Sequence, residues 1–153
     1  MDVAAENGRV TQVDFYVQAE DKVRTAVRLA AKAYQLGRRL TVYCTDRAIA
    51  EHFDRVLWTN PAIGFVPHCH AEDRLAPATP IVIDRSGNDP QNDDVLLNLD
   101  AARPPYFSRF HRLIEIVSLD DDDRQRARDR YKFYRDRGYE IRTHDLAKAG
   151  GTR

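Results

Sequence analysis

Near the carboxyl end of the chain lie residues with the types and spacing to grip an anion. Arg124, Arg128, Tyr131, Lys132 and Arg135 fall at i, i+4, i+7, i+8 and i+11, which at 3.6 residues per turn is one face of a helix. A row of cations beside an aromatic ring is what an acidic peptide tail or a phosphate backbone would dock against, with a solvated charged face as the competing assignment. The helix that must carry them is DDDDRQRARDRYKFYRDRG, residues 120–138, with an acidic first turn and Gly138 as its stop. Carboxylates at a helix start complement the macrodipole and cap free amides, so the Asp120–Asp123 run is expected to cap rather than to hold a metal. Curled over Arg124, the same run would mimic an acidic ligand and weaken binding.

Other chemistry-bearing residues form weaker patterns. His68 and His70 alternate about Cys69, so on an extended segment they would point the same way and could share a zinc ion. No spacing supplies a third and fourth ligand, and a loop with incidental histidines is the stronger reading. Asp14, Asp46 and Asp84 sit near strand ends, where a phosphoacceptor might, yet aspartates there more often form turns and caps. No glycine-rich phosphate loop, nucleophile elbow, HExxH pair or cysteine quartet is present. Trp58, Ile63, Phe65 and Pro67 place large apolar side chains in a segment kept irregular by Pro61, Gly64 and Pro67. That loop either closes the core or forms a protein-binding patch, since aromatic anchors dominate interface energetics.

These residues need a scaffold, and strand and helix signals alternate along the chain. Val13, Phe15 and Val17 alternate with polar neighbours as a first strand. Residues 21–36 carry Val23, Ala26, Val27, Ala30 and Tyr34 at helical spacing, with Gly37 as the stop. RLTVYC is a short buried strand, after which Thr45 is expected to cap a helix with Ile49, Phe53, Val56 and Leu57 on its apolar face. Residues 80–84 and 94–99 read as the third and fourth strands, with turn chemistry between them. Residues 106–110 read as part of a short helix, 112–118 as a fifth strand and 139–143 as an edge strand. The expected fold is α/β: a three-layer sandwich with a mostly parallel sheet, helices on both faces and Rossmann-like topology without a nucleotide fingerprint.

At 153 residues the chain suits a single domain over 10–146, with frayed ends at 1–9 and 147–153. Formal net charge is zero, so nothing draws the whole molecule onto DNA or an anionic membrane. Apolar runs fall far short of a membrane span, the first residues are no secretory signal, and Cys44 and Cys69 make no disulfide framework. A reducing cytoplasm is the simplest home.

Two motifs then carry a resemblance. The pattern W-x-x-P-x-x-x-F-V-P-H from Trp58 to His68, and AR-[DE]-RYK-x-YR from Ala127 to Arg135, resemble the chi subunits of bacterial DNA polymerase III holoenzyme. Phe15-Tyr16, Gly37 with Arg39, and the Thr45-Asp46 helix start agree in order. The resemblance implies a non-catalytic accessory subunit of the clamp-loader assembly, with no cofactor, no metal and no direct contact with nucleic acid. It implies two protein partners: the psi subunit, and the acidic C-terminal tail of single-stranded DNA-binding protein, which ends in a Pro-Phe carboxylate. Carried over by motif, the tail would meet Arg128, Tyr131 and Lys132 with Arg124 in support. Val117 and Ile141 would form the apolar floor and Arg142 a further cation at the rim. The psi-facing residues would be Trp58, Phe65, Pro67 and His68. Residues 71–94 acquire no role. The alternative is a small α/β nucleotide- or phosphate-binding enzyme using Asp14, Asp46 or Asp84 at the sheet's carboxyl edge.

Overall fold

In the computed structural model, residues 10–60, 64–88 and 90–148 are described. The elements in chain order are β1 (Gln12–Ala19), α1 (Lys22–Gln35), β2 (Leu40–Tyr43), α2 (Arg47–Thr59), β3 (His68–His70), β4 (Ile81–Asp84), β5 (Val95–Asn98), β6 (Arg112–Ser118), α3 (Asp121–Asp136) and β7 (Ile141–Asp145). The strands form one seven-stranded parallel sheet in the order β3-β4-β2-β5-β6-β1-β7.

That order decides where the helices lie. From β1 to β2 and on to β3 the chain moves one way along the sheet, whereas from β6 to β7 it moves the other way. Parallel crossovers are right-handed, so α1 and α2 cover one face and α3 the opposite face. The two cores agree with this. Leu40, Val42, Ile81, Ile83, Val95, Leu97, Ile114 and Ile116 pack with Ala26, Val27, Ala30, Phe53 and Leu57 of α1 and α2. Val13, Phe15, Leu96, Leu113 and Val117 pack with Ala127 and Tyr134 of α3 and with Tyr106, Phe107 and Phe110. The expected three-layer sandwich is therefore the observed one.

Local details differ from the sequence-based expectations. Asp46, not Thr45, caps α2, accepting from the Ile49 amide at 3.1 Å. Thr45 instead donates its amide and hydroxyl to Asp100 Oδ1, joining the ends of β2 and β5. Ile49 and Tyr34 are exposed rather than inward, because Ala50, Phe53 and Leu57, and the alanines of α1, supply the contact faces. His68–His70 is a three-residue edge strand, too short to show a period and created by its register with Ile81–Ile83. Residues 106–110 make only one 3-10 turn, Phe107–Arg109.

The last strand starts two residues later than expected, at Ile141. Gly138, at φ +89°, turns the chain so that the Tyr139 amide donates to Tyr134 O at 3.1 Å, and Tyr139 then enters the α3-side core. After β7, the amides of Ala147 and Lys148 donate to Asp145 Oδ1 and form a turn.

Candidate functional site

Helix α3 is held on the sheet at two points. At its start, Asp120 accepts from the Asp123 amide, while the Asp123 carboxylate accepts from Lys22 Nζ at 2.9 Å and from the Ser118 amide at 2.8 Å. Burial works to raise the Asp123 pKa, but Lys22 and Ser118 outweigh it and hold the carboxyl below the ordinary aspartate value. Midway along, fully buried Glu115 of β6 accepts from Arg130 Nε at 3.0 Å, Tyr134 OH at 2.7 Å and Asn98 Nδ2 at 3.1 Å. This network fixes which face of α3 meets the sheet, and so which face looks along the end of β1.

Between them α3, β1, β6 and β7 enclose a groove of about 500 Å³. Phe15, Val17, Val117 and Ala127 form its apolar floor, and Arg124, Arg128, Tyr131, Lys132 and Arg135 line the α3 side. Ser118, Gln18 and Thr143 complete the wall. The Tyr131 ring lies 5.3 Å from that of Phe15, so the tyrosine is seated on the floor rather than free.

The cations at the rim are incompletely neutralised. Arg128 Nη1 donates to the neutral Gln125 Oε1 at 3.1 Å, and Arg124 has no ion pair among the described residues. Lys132 and Arg135 share the single carboxylate of Asp136, at 3.0 and 3.3 Å. Hydrogen bonding from Lys132, and then the charges around it, lower the Asp136 pKa. The rim thus keeps a surplus of positive charge above an apolar floor. Such a site can hold an anionic group joined to an apolar side chain.

The acidic run does not curl over this rim as a unit. Asp120 caps, Asp123 is engaged by Lys22 and Ser118, and Asp122 stands on the outer crest of the helix. Only Asp121, three residues before Arg124 and seven before Arg128, shares the basic flank.

Ile141 and Arg142 do not line the groove. Ile141 pairs with Val13 near the start of the strands and packs into the α3-side core, whereas the groove opens at their carboxyl ends. Thr143, two residues on and on the same face of β7, takes the groove position. Arg142 points to the other face and lies 4.0 Å from Glu140. Period-two spacing from Ile141 is the signal that could have found Thr143. Nothing in the sequence marked Gln18, whose φ of +65° follows from the register shift at the end of β1.

A second group assembles at the end of α2. Trp58 and Phe65 are 59% and 66% exposed, with ring centroids 5.5 Å apart, and Trp58 lies edge-on to His68 at 5.1 Å. These aromatics therefore do not close the core; Val66, between Phe65 and half-buried Pro67, does. His68 Nδ1 faces Val66 O at 2.7 Å, and Nε2 lies 2.7 Å from Asp54 Oδ1 at an angle that makes no hydrogen bond. Ile63 and Pro61 lie outside the described residues.

The alternative chemistry is not assembled. Asp14 is buried against Arg112 at 2.6 Å and His144 at 3.0 Å, Asp46 caps α2, and Asp84 accepts from Tyr106 OH and the Ser86 and Gly87 amides. β5 and β6 separate the β1 aspartate from β2 and β4. Among the described residues no cluster of three His, Cys, Asp or Glu could hold a metal ion, and no helix is long and apolar enough to cross a membrane.

A family model described as DNA polymerase III chi subunit, HolC, matches residues 10–142, which span the whole sheet up to the start of β7. The chain belongs to the DNA polymerase III chi subunit family. It is 35% identical over 144 residues to the DNA polymerase III subunit chi of Pseudomonas aeruginosa, covering 91% of this chain and 99% of that one. It is 31% identical over 137 residues to the chi subunit of Haemophilus influenzae, covering 86% and 95%. The chi subunit of Escherichia coli is 31% identical over 119 residues, covering 75% of this chain and 79% of its own. Membership in the chi family makes this an accessory, non-catalytic subunit in DNA replication. The groove and the aromatic group are accordingly read as binding surfaces.

Proposed function

We propose that this chi-family chain links two proteins at the replication fork: the psi subunit of the clamp loader, and the acidic C-terminal tail of single-stranded DNA-binding protein. The observation that carries the tail half is the convergence of Val117, Arg124, Arg128, Tyr131 and Lys132 on one groove. A terminal carboxylate suits a guanidinium fork at Arg128 or Arg124, while Lys132 meets the acids before it as a mobile point charge. The floor of Phe15, Val17 and Val117 suits a terminal phenylalanine ring. For the psi half, the support is the exposed Trp58–Phe65–His68 group, since a large unpaired aromatic surface costs solvation until a partner covers it.

A fluorescent peptide with acidic residues and a Pro-Phe end, titrated by anisotropy, tests the tail reading. Removing the terminal Phe, or the change Arg128→Ala, is expected to weaken binding about tenfold or more. Unchanged affinity in either case would refute the assignment.

A further inference from the structure

Helix α3 carries its charge in three stripes. Arg124, Arg128, Lys132 and Arg135 line the groove. Asp122, Asp129 and Asp136 recur every seven residues and form an exposed acidic crest. On the far flank Arg126, Phe133 and Arg137 recur at i, i+7 and i+11, and Arg103 reaches them from the loop after β5. The guanidinium carbons of Arg103 and Arg137 lie 3.5 and 4.2 Å from the Phe133 ring centroid. Phe107 braces that ring from the core side at 6.2 Å.

Among the described residues, Arg103, Arg126 and Arg137 have no carboxylate within ion-pair distance, whereas Lys22, Arg24, Arg38, Arg47, Lys132 and Arg135 each do. The Phe133 ring, not an acid, holds the Arg103 and Arg137 guanidiniums, and Arg126 lies two turns earlier on the same flank of the helix. A guanidinium stacked on a ring keeps its N–H edges free and pays little further entropy when it forks onto a carboxylate. We propose that Arg103, Arg126 and Arg137 around Phe133 form a second docking surface, separate from the groove, for a short acidic segment of a partner protein.

Size and charge select that occupant. From Arg126 to Arg137 along the helix is about 16 Å, the length of roughly five residues of extended peptide. Asp122, Asp129 and Asp136 bound the flank on its solvent side, so a longer polyanion would run onto the acidic crest. Formal net charge is zero, which leaves no wider field to hold a nucleic acid strand. Arg130, behind the flank, is buried with its charge spent on Glu115, so it adds no free cation to this surface.

The test uses the full chain and an acetylated, amidated hexaglutamate bearing a fluorophore. That probe has no terminal carboxylate and no aromatic residue for the groove. The Arg128→Ala/Lys132→Ala variant is the parent, and Arg103→Ala/Arg137→Ala is added to it, with thermal melts confirming the fold of each. Affinity is expected to fall about tenfold on adding the second pair, and about threefold for Phe133→Leu, which keeps the charge and loses the ring. Equal affinity with and without Arg103 and Arg137 would overturn the proposal, as would loss of binding in the parent alone. An oligothymidylate that binds this flank more tightly than the peptide, and displaces it, would overturn it in favour of nucleic acid.

Discussion

Replacing Glu115 with alanine tests the polar network that seats α3. Glu115 is 0% exposed and accepts from Arg130, Tyr134 and Asn98. Without it Arg130, itself 3% exposed, keeps only the Ala101 carbonyl at 2.7 Å, and the Tyr134 hydroxyl has no acceptor. Removing one partner of a buried ion pair costs about 3–5 kcal/mol, chiefly through the charge left behind. Against a total stability of about 5–15 kcal/mol, that should lower the melting temperature by on the order of 10 °C. Arg130→Met alone should cost a similar amount, because it strands the carboxylate. The double variant Glu115→Ala/Arg130→Met removes both charges and should cost little more than either single change, a coupling of several kcal/mol. Burial, then the Glu115 charge, holds the Tyr134 phenol well above the ordinary tyrosine range, so it remains a donor throughout the working pH range. Urea unfolding of the four proteins at neutral pH supplies the numbers. A cost below about 1 kcal/mol for Glu115→Ala, or additive losses in the double variant, would refute this account of how α3 is held.

Further outcomes are expected at three residues. Asp123→Asn should destabilise by about 2 kcal/mol near neutrality, since the wild-type carboxylate accepts from Lys22 and Ser118. Because its folded pKa lies below the unfolded value, that advantage is full above about pH 5 and shrinks as pH falls through the folded pKa, so urea midpoints of the two proteins should converge in acid. Asp121→Asn should tighten tail-peptide binding about twofold at low salt and have little effect at about 0.5 M salt, measured by anisotropy. Trp58, the single tryptophan, is exposed in the folded chain, so its emission should be red-shifted and move to the blue when a partner covers it. Trp58→Ala should abolish psi-subunit binding in a pull-down while changing the urea midpoint little, because the side chain is mostly in water.

Much of the site was legible because a helix converts spacing into direction. The i, i+4, i+7, i+8 series put Arg124, Arg128, Tyr131 and Lys132 on one face before any fold was known, and the AR-[DE]-RYK-x-YR match added a family. The apolar floor was only half legible. Val117 could be placed because it lies on a strand whose alternate residues are inward, but Ile141 was displaced by a strand start that Gly138 and Tyr139 set. The cap of α2 went to Asp46 rather than Thr45 because Asp100, distant in sequence, offered Thr45 a better acceptor. Short edge strands such as His68–His70 have no period to read, and pairing with β4 alone defines them.

Taken alone, the residues determined the alternation of strands and helices, the absence of known catalytic motifs and the identity of the basic helix. Those features rest on local periodicity and residue chemistry, which a chain carries with it. Only the tertiary structure decided that the basic face borders a groove floored by β1 and β6, that Lys132 and Arg135 share Asp136, and that the acids of the first turn divide among separate tasks. It also decided that α3 has a second cationic flank, completed by Arg103 from another loop. Each of these depends on which distant segments the right-handed crossovers bring side by side, and no window of local sequence contains that information.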